Sequence, residues 1–147
     1  MWITDALLGE HAALRLVLEG VEQVAGGCST VEELRAGFAP FSVALAAHAG
    51  VEDELLFAGA EGREWGVGVI GPMRDEHRAI ERLMHEVSMR RDLDEACAAV
   101  DELAAVVREH FLREEEVLFP AVIEALSDDE LSALGEQWAR RRDVRLA

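Results

Sequence analysis

The sequence predicts an all-α protein: an up-down-up-down four-helix bundle followed by a short C-terminal fifth helix. Apolar residues recur at helical spacing along most of the 147 residues, which is typical of helices that bury one face. Strand-like alternation of apolar and polar residues is absent, and the connections between the predicted helices are mostly short. Because short connections place consecutive helices side by side and antiparallel, a bundle is the expected architecture.

The first two predicted helices form one hairpin. The first spans about residues 5–24, and the second extends to about residue 58 from a candidate capping box made by Ser29 and Glu32. Pro40 lies inside the second helix. Because proline lacks the backbone N–H of the helical hydrogen-bond ladder, we expect it to kink or divide this helix.

The second half of the chain predicts another hairpin and a short last helix. A glycine-rich loop, residues 59–71, leads to a third helix that begins at Pro72 and stops near Arg91. Asp92 opens a fourth helix, which reaches about Phe119 and, beyond a kink or break at Pro120, continues to Leu126. Ser127 and Glu130 form a capping pair for the fifth helix. We expect a single domain over residues 1–147, with the bundle at about 5–126 and the C-terminal helix at about 128–142.

Composition limits the classes of partner. The formal charge of −16, from 30 acidic and 14 basic residues, argues against nucleic acid and anionic membranes. No apolar run approaches the roughly 18 residues of a membrane span, and the N-terminus lacks the basic start of a signal peptide. The two cysteines, Cys28 and Cys97, form neither a disulfide framework nor a CxxC motif. A cytoplasmic protein is the expectation, either monomeric or homodimeric.

The most informative stretch contains His110 and Glu114, which project from one helix face because they are four residues apart. Apolar neighbours at helical spacing predict that this face is buried: Leu103, Val106, Val107, Val117 and Leu118. A buried carboxylate without a partner costs several kcal/mol. We therefore expect an arginine, a core hydrogen bond or a metal ion beside Glu114.

This stretch belongs to a duplicated pattern, which favours the metal ion. The pattern H-x-x-x-E-[DE]-E-[LV]-L-F occurs twice, and the pattern E-H-x-A-[LI] precedes each copy. The copies are His48-x-x-x-Glu52 with His110-x-x-x-Glu114, and Glu10-His11 with Glu76-His77. The separations are 62 residues (48 to 110) and 66 residues (11 to 77), which indicates that a helical hairpin is repeated as a unit.

In a four-helix bundle, this order gives every helix one inward histidine and gives the second and fourth helices one glutamate each. Imidazole and carboxylate together suit iron, manganese or zinc, and two carboxylates able to bridge favour two ions. The E-x-x-H signature of ferritin-like di-iron proteins is absent, because no histidine follows a glutamate by three residues.

These four units, in this order, resemble the hemerythrin-like (HHE cation-binding) family over roughly residues 5–126. The resemblance implies two non-haem iron ions joined by an oxo or hydroxo bridge, with manganese or zinc as alternatives. It implies that Glu52 and Glu114 bridge the ions, that His11 and His48 serve one, and that His77 and His110 serve the other. It also implies a small-molecule ligand: dioxygen, nitric oxide or peroxide.

The sequence departs from the oxygen-carrying members of that family. Their third helix carries two histidine ligands four residues apart, whereas the residue four after His77 is Glu81. Glu81 is either a substitute ligand or a residue at the edge of the buried face, paired with Arg82 or Arg78. The fourth helix also has H-x-x-x-E where the carriers place a histidine and an aspartate one residue further apart. Both changes argue against reversible oxygen carriage and favour oxidation chemistry.

His85 lies eight residues after His77, about 12 Å further along the helix axis. It points away from the predicted inner face, so we expect a position at the surface or behind the ligands, although an alternative register that uses Glu81 and His85 stays open.

Three functional hypotheses follow. The first is a di-iron protein that senses or stores a small ligand. The second is a di-iron oxidase or a peroxide-consuming, catalase-like enzyme, whose catalytic residues the sequence does not identify. The third is a metal-free helical interaction domain, which is disfavoured because its buried charges would lack compensation.

Overall fold

The computed structural model describes residues 1–61 and 63–145. Within them, five helices and no β-strand are present. α1 is Ile3–Gly27. α2 starts as Val31–Glu52, passes through a π-helical turn, Asp53–Phe57, and ends with Ala58–Ala60. A 3₁₀ turn, Glu64–Gly66, leads to α3, Ile70–Met89. α4 starts as Leu93–Arg113, passes through a second π-helical turn, Glu114–Leu118, and ends with Phe119–Ala125. α5 is Asp128–Arg142.

The first four helices form the predicted bundle. α1 packs on α2 and α4, and α3 packs on α4 and α2, so the four helices form a closed ring, across which α2 and α4 also contact each other. α5 packs on α1, outside that ring. Gly135 permits this close approach, because a Cβ atom at this position would collide with the backbone of Met1.

Two local predictions need correction. The N-cap of α2 is Thr30, one residue after the predicted one, and its hydroxyl accepts a hydrogen bond from the backbone N–H of Glu33 at 3.2 Å. α2 is also continuous through Pro40, so proline does not divide it, and a kink at this residue stays a prediction. The capping box of Ser127 and Glu130 is confirmed at the start of α5.

The π-helical turn of α4 explains a third difference. Val117, which regular helical spacing assigns to the buried face, has 47 % of its surface exposed, whereas Leu118 is fully buried. A π-turn inserts one residue into the helix and so rotates the residues that follow it. The 3.6-residue period of the sequence pattern therefore fails after Glu114.

The interior consists of two apolar clusters with a polar layer between them. The first cluster contains Leu14, Leu18, Phe38, Phe41, Val100, Leu103 and their neighbours. The second contains Leu7, Leu55, Phe57, Met73, Leu118, Phe119 and their neighbours. Along each bundle helix, one predicted ligand lies between the residues of the two clusters: His11, His48, His77 and Glu114. Cys28 and Cys97 are free thiols at the edge of the first cluster.

No helix of the described residues has the length and apolar character that a membrane crossing requires.

Candidate metal centre

The polar layer brings together six of the seven residues predicted from the sequence as metal ligands. Four are almost inaccessible to solvent at 0–1 % exposure, and His110 is 3 % exposed, while the side chain of His77 is 9 % exposed. Their donor atoms form two groups, in each of which all atoms lie within 4.8 Å of one another: His11, His48, Glu52 and Glu114 in the first, and His77, His110, Glu52 and Glu114 in the second.

Each of the two glutamates divides its oxygen atoms between the groups. Oε1 of Glu52 lies 3.4 Å from Nε2 of His48, and its Oε2 lies 3.4 Å from Nε2 of His77. Oε2 of Glu114 lies 3.2 Å from Nε2 of His11, and its Oε1 lies 3.1 Å from Nε2 of His110. In this arrangement, each carboxylate faces both groups.

The distances within each group suit a transition-metal ion. Nitrogen and oxygen ligands lie about 2.0–2.2 Å from such an ion, so two ligands of one ion are separated by at most about 4.4 Å. The Nε2 atoms of His11 and His48 are 3.1 Å apart. Nε2 of His77 lies 3.7 Å from Oε1 of Glu114.

The glutamate oxygens lack other partners. All four carboxylate oxygens of Glu52 and Glu114 are buried and accept no hydrogen bond of acceptable geometry, although imidazole nitrogens lie nearby. Two ionised carboxylates in this position need positive charge. Protons on the histidines, or cations held within the groups, would supply this charge. The donor set fits iron, manganese or zinc.

Without a cation, His77 and His48 supply positive charge, because the pKa values of both are raised. Burial alone would lower the pKa of His77, but Glu114 and Glu52 outweigh burial and raise it to about 10. Burial likewise opposes protonation of His48, whose pKa is nevertheless raised by Glu52 and Glu10. Burial would raise the pKa of Glu114, but His11, His110 and His77 hold it well below its usual range.

Three further carboxylates orient imidazole rings from outside the two groups, and a fourth lies near His77. Nδ1 of His11 lies 2.8 Å from Oε1 of Glu115, Nδ1 of His48 lies 2.7 Å from Oε2 of Glu10, and Nδ1 of His110 lies 2.8 Å from Oε2 of Glu76. Nδ1 of His77 lies 3.3 Å from Oδ1 of Asp53, without hydrogen-bond geometry. When Nδ1–H donates to a carboxylate, the Nε2 lone pair faces the interior, as metal ligation requires.

The sequence interpretation missed the roles of Glu10 and Glu76. Both are the glutamate of the repeated E-H pattern, so the signal was present. Each partners the histidine of the following helix rather than its own neighbour in the chain. Asp53 and Glu115, which directly follow Glu52 and Glu114 in the chain, also lie beside a histidine.

Glu81 and His85 lie outside the two groups. Glu81 is exposed, in the wall of a cavity that also contains His77. His85 is exposed, as expected from its position on α3. Ligation by Glu81 stays a prediction.

Each π-helical turn begins at, or directly after, one of the two buried glutamates. Glu52 immediately precedes the turn in α2, and Glu114 is the first residue of the turn in α4. Such turns are frequent at functional sites. The two halves of the repeat therefore resemble each other in backbone structure as well as in sequence, since each contains a π-helical turn.

The fold and the site together define a class: a helical-bundle protein with two adjoining His/Glu groups able to hold metal ions. Comparison with protein families is more specific, because the sequence profile of the hemerythrin HHE cation-binding domain matches residues 3–132. The chain belongs to this family. Comparisons with curated proteins and with solved structures give no significant match.

Proposed function

We propose that this protein is a non-haem di-iron protein that binds a small ligand, namely dioxygen, nitric oxide or peroxide, in a sensing or storage role. The observation that carries the proposal is the division of the oxygens of Glu52 and Glu114 between two pairs of histidines. A single ion, or a purely structural hydrogen-bond network, would not need both carboxylates shared in this way.

In this proposal, His11 and His48 hold one ion, His77 and His110 hold the other, and the two glutamates contact both. Iron at these positions supplies redox and Lewis-acid chemistry toward a small ligand. The outer carboxylates that accept from Nδ1 would keep Nε2 of His11, His48 and His110 free for the ion.

Aromatic rings limit water around the centre. Phe111 stacks on His11 with 4.0 Å between ring centroids, and Phe119 lies on the same imidazole at 5.5 Å. Phe57 lies 5.1 Å from the ring of His77. These rings cover faces of His11 and His77 with apolar surface, and exclusion of water strengthens electrostatic interactions there.

A paired substitution tests the proposal. Glu114→Ala removes a shared ligand, whereas Glu116→Ala removes an exposed carboxylate two residues away. We expect ferrous iron to raise the thermal midpoint of the wild type and of Glu116→Ala, because a ligand of the native state stabilises it. Glu114→Ala and His110→Ala should lose both the bound iron and this increase.

Two irons per chain in Glu114→Ala would refute the ligand assignment. The enzymatic alternative, a di-iron oxidoreductase that consumes peroxide or oxygen, uses the same residues. Sustained turnover of added peroxide by the iron-loaded protein would favour the enzyme over the sensor.

A further inference from the structure

A cavity of about 420 Å³ lies between α2 and α3 and reaches the histidines of the candidate metal centre. α2 contributes the small residues Ala46, Ala49 and Gly50 to its wall, and α3 contributes Ile80 and Met84. His77 lies at its inner end, together with His48 and His110. The cavity thus connects the surface of the bundle with these three histidines.

The duplication of the chain explains why a cavity lies at this position. Ala49 follows His48 as Phe111 follows His110, so the two residues are equivalent in the repeat. Glu81 follows His77 by four residues as Arg15 follows His11, so these two are equivalent as well. The two halves of the centre therefore have equivalent ligands, but different residues cover these ligands in each half.

On the His11 side, the larger residues close the centre. Phe111 is fully buried and its ring stacks on the imidazole of His11. The guanidinium carbon of Arg15 lies 5.5 Å from the centroid of the Phe111 ring, and Nη2 of Arg15 lies 2.9 Å from Oε1 of Glu115. The side chain of His11 has no exposed surface.

On the His77 side, the equivalent positions leave space. Ala49 has no ring to cover His77, and Glu81 is exposed in the cavity wall instead of lying over an aromatic residue. His77 is correspondingly the most exposed histidine of the two groups, with 9 % of its side chain accessible.

We propose that this cavity is the entrance to the metal centre and that it admits a small organic ligand, with one oxygen donor for the metal and an apolar body, to the ion held by His77 and His110. This proposal rests on the proposed di-iron function. The volume lies within the range of about 300–1,000 Å³ for small-molecule sites, whereas a water molecule occupies only about 30 Å³ in the liquid. The side chains of Leu45, Ile80 and Met84 supply the apolar wall.

A second cavity, of about 330 Å³, reaches His48 from between α1 and α2. Its wall includes Glu10, whose carboxylate is hydrogen-bonded to Nδ1 of His48. It therefore ends on the outer side of the imidazole, away from Nε2. Ala47 lines this cavity and offers a matched control for Ala49.

The first experiment measures ligand access to the iron-loaded protein. Ala49→Phe introduces on α2 the residue that closes the other half, and Gly50→Leu is a milder alternative, since a Cβ atom at Gly50 meets no heavy atom within 4 Å. We expect either variant to slow azide association at least about tenfold at unchanged iron content, and Ala47→Phe to leave the rate unchanged. Benzoate, an organic oxygen donor, should compete with azide in the wild type and not in Ala49→Phe.

The second experiment measures access of a reagent to the cavity in the metal-free protein. It can therefore refute the proposed entrance independently of the proposed di-iron function. Ile80 lines the cavity with only 4 % of its surface exposed, and Val87, on the same helix, is fully buried. We expect benzyl methanethiosulfonate to label Ile80→Cys quickly in the metal-free protein and Val87→Cys slowly. Adding Ala49→Phe should suppress the labelling of Ile80→Cys.

Several results would contradict the proposal that this cavity is the entrance to the metal centre. One such result is a wild-type rate of azide association in both Ala49→Phe and Gly50→Leu. Another is that Ala47→Phe alone slows azide association. Unchanged labelling of Ile80→Cys in the Ala49→Phe background would show that the space is not the route. Absence of benzoate competition in the wild type would overturn the organic ligand class.

Discussion

Nδ1 of His48 lies 2.7 Å from the Oε2 atom of Glu10, and that carboxylate is also the anchor of the C-terminal helix. Trp138 donates its indole N–H to Oε1 of Glu10 at 2.7 Å, and Arg142 donates Nε–H to the same atom at 2.6 Å. Both donors lie in α5, beyond residue 132, where the family match ends. The segment outside the matched domain is thus connected, through one carboxylate, to a residue of the candidate metal centre.

Glu10→Gln is expected to weaken metal binding at the His11/His48 group. The amide keeps the volume of the side chain but removes the charge that orients and polarises His48, and loss of such an outer partner typically reduces metal affinity about 10–100-fold. Glu76→Gln is the matched variant, since Glu76 contacts His110 in the same way, and it should affect the other group. Chelator competition gives the affinities, and Mössbauer spectra of the iron-loaded variants distinguish the two ions. Wild-type affinity in Glu10→Gln would show that the carboxylate serves only to anchor α5.

Trp138→Phe isolates the contribution of the helix anchor. It keeps most of the ring but removes one hydrogen bond to Glu10, so we expect the free energy of unfolding of the metal-free protein to fall by about 1 kcal/mol. Trp65→Phe is the control, because the indole N–H of Trp65 is buried without a hydrogen-bond partner. Urea unfolding measures both variants. An equal or larger loss in Trp65→Phe would contradict the assignment of the Trp138 bond.

The ion pair of Glu22 and Arg108 predicts a specific pH dependence. Arg108 donates two hydrogen bonds, at 2.8 and 2.6 Å, from α4 to Glu22 on α1, and these bonds lower the pKa of Glu22 from its ordinary value of 4.5. Because the folded state favours the carboxylate, the pair stabilises the protein fully above about pH 4.5 and progressively less as pH falls through the lower pKa of the folded state.

Glu22→Gln should therefore lower the free energy of unfolding at pH 7 by no more than about 1 kcal/mol, since the pair is partly exposed. The difference from the wild type should shrink in acid. Urea titrations of the metal-free proteins between pH 7 and pH 3 follow that difference, and a constant difference over this range would rule out the ion pair as its cause.

The N-cap of α2 gives a further test. Thr30→Ala removes the hydroxyl that accepts from the N–H of Glu33 and should cost about 1 kcal/mol. Ser29 takes part through its backbone N–H, which donates to Oε2 of Glu33 at 2.7 Å, so Ser29→Ala should cost less. A larger loss in Ser29→Ala would restore the capping box predicted from the sequence.

The fold was predictable because its determinants are periodic. Stripes of apolar residues at helical spacing, capping residues such as Asp92 and Ser127, and the duplicated hairpin each depend on residues close together in the chain. The six inward residues were predictable for the same reason, since the spacing of four residues places His48 with Glu52 and His110 with Glu114 on one face.

What could not be predicted depends on relations across helices. The exposure of Val117 follows from a π-helical turn that regular periodicity does not contain. Glu10 contacts a histidine 38 residues away, and the anchor from Trp138 spans 128 residues. The difference between Ala49 and Phe111 is visible in the repeat, but its consequence for a cavity requires the packing of α2 against α3.

Metal content per chain, measured together with the near-ultraviolet and visible spectrum of protein purified in air, tests the central claim most directly. We expect about two irons per chain and oxo-to-iron charge-transfer bands, both lost in Glu114→Ala and kept in Glu116→Ala. A folded, heat-stable chain that contains no metal and does not respond to added ferrous iron would contradict it, and would mean that the histidines and glutamates of the polar layer are structural.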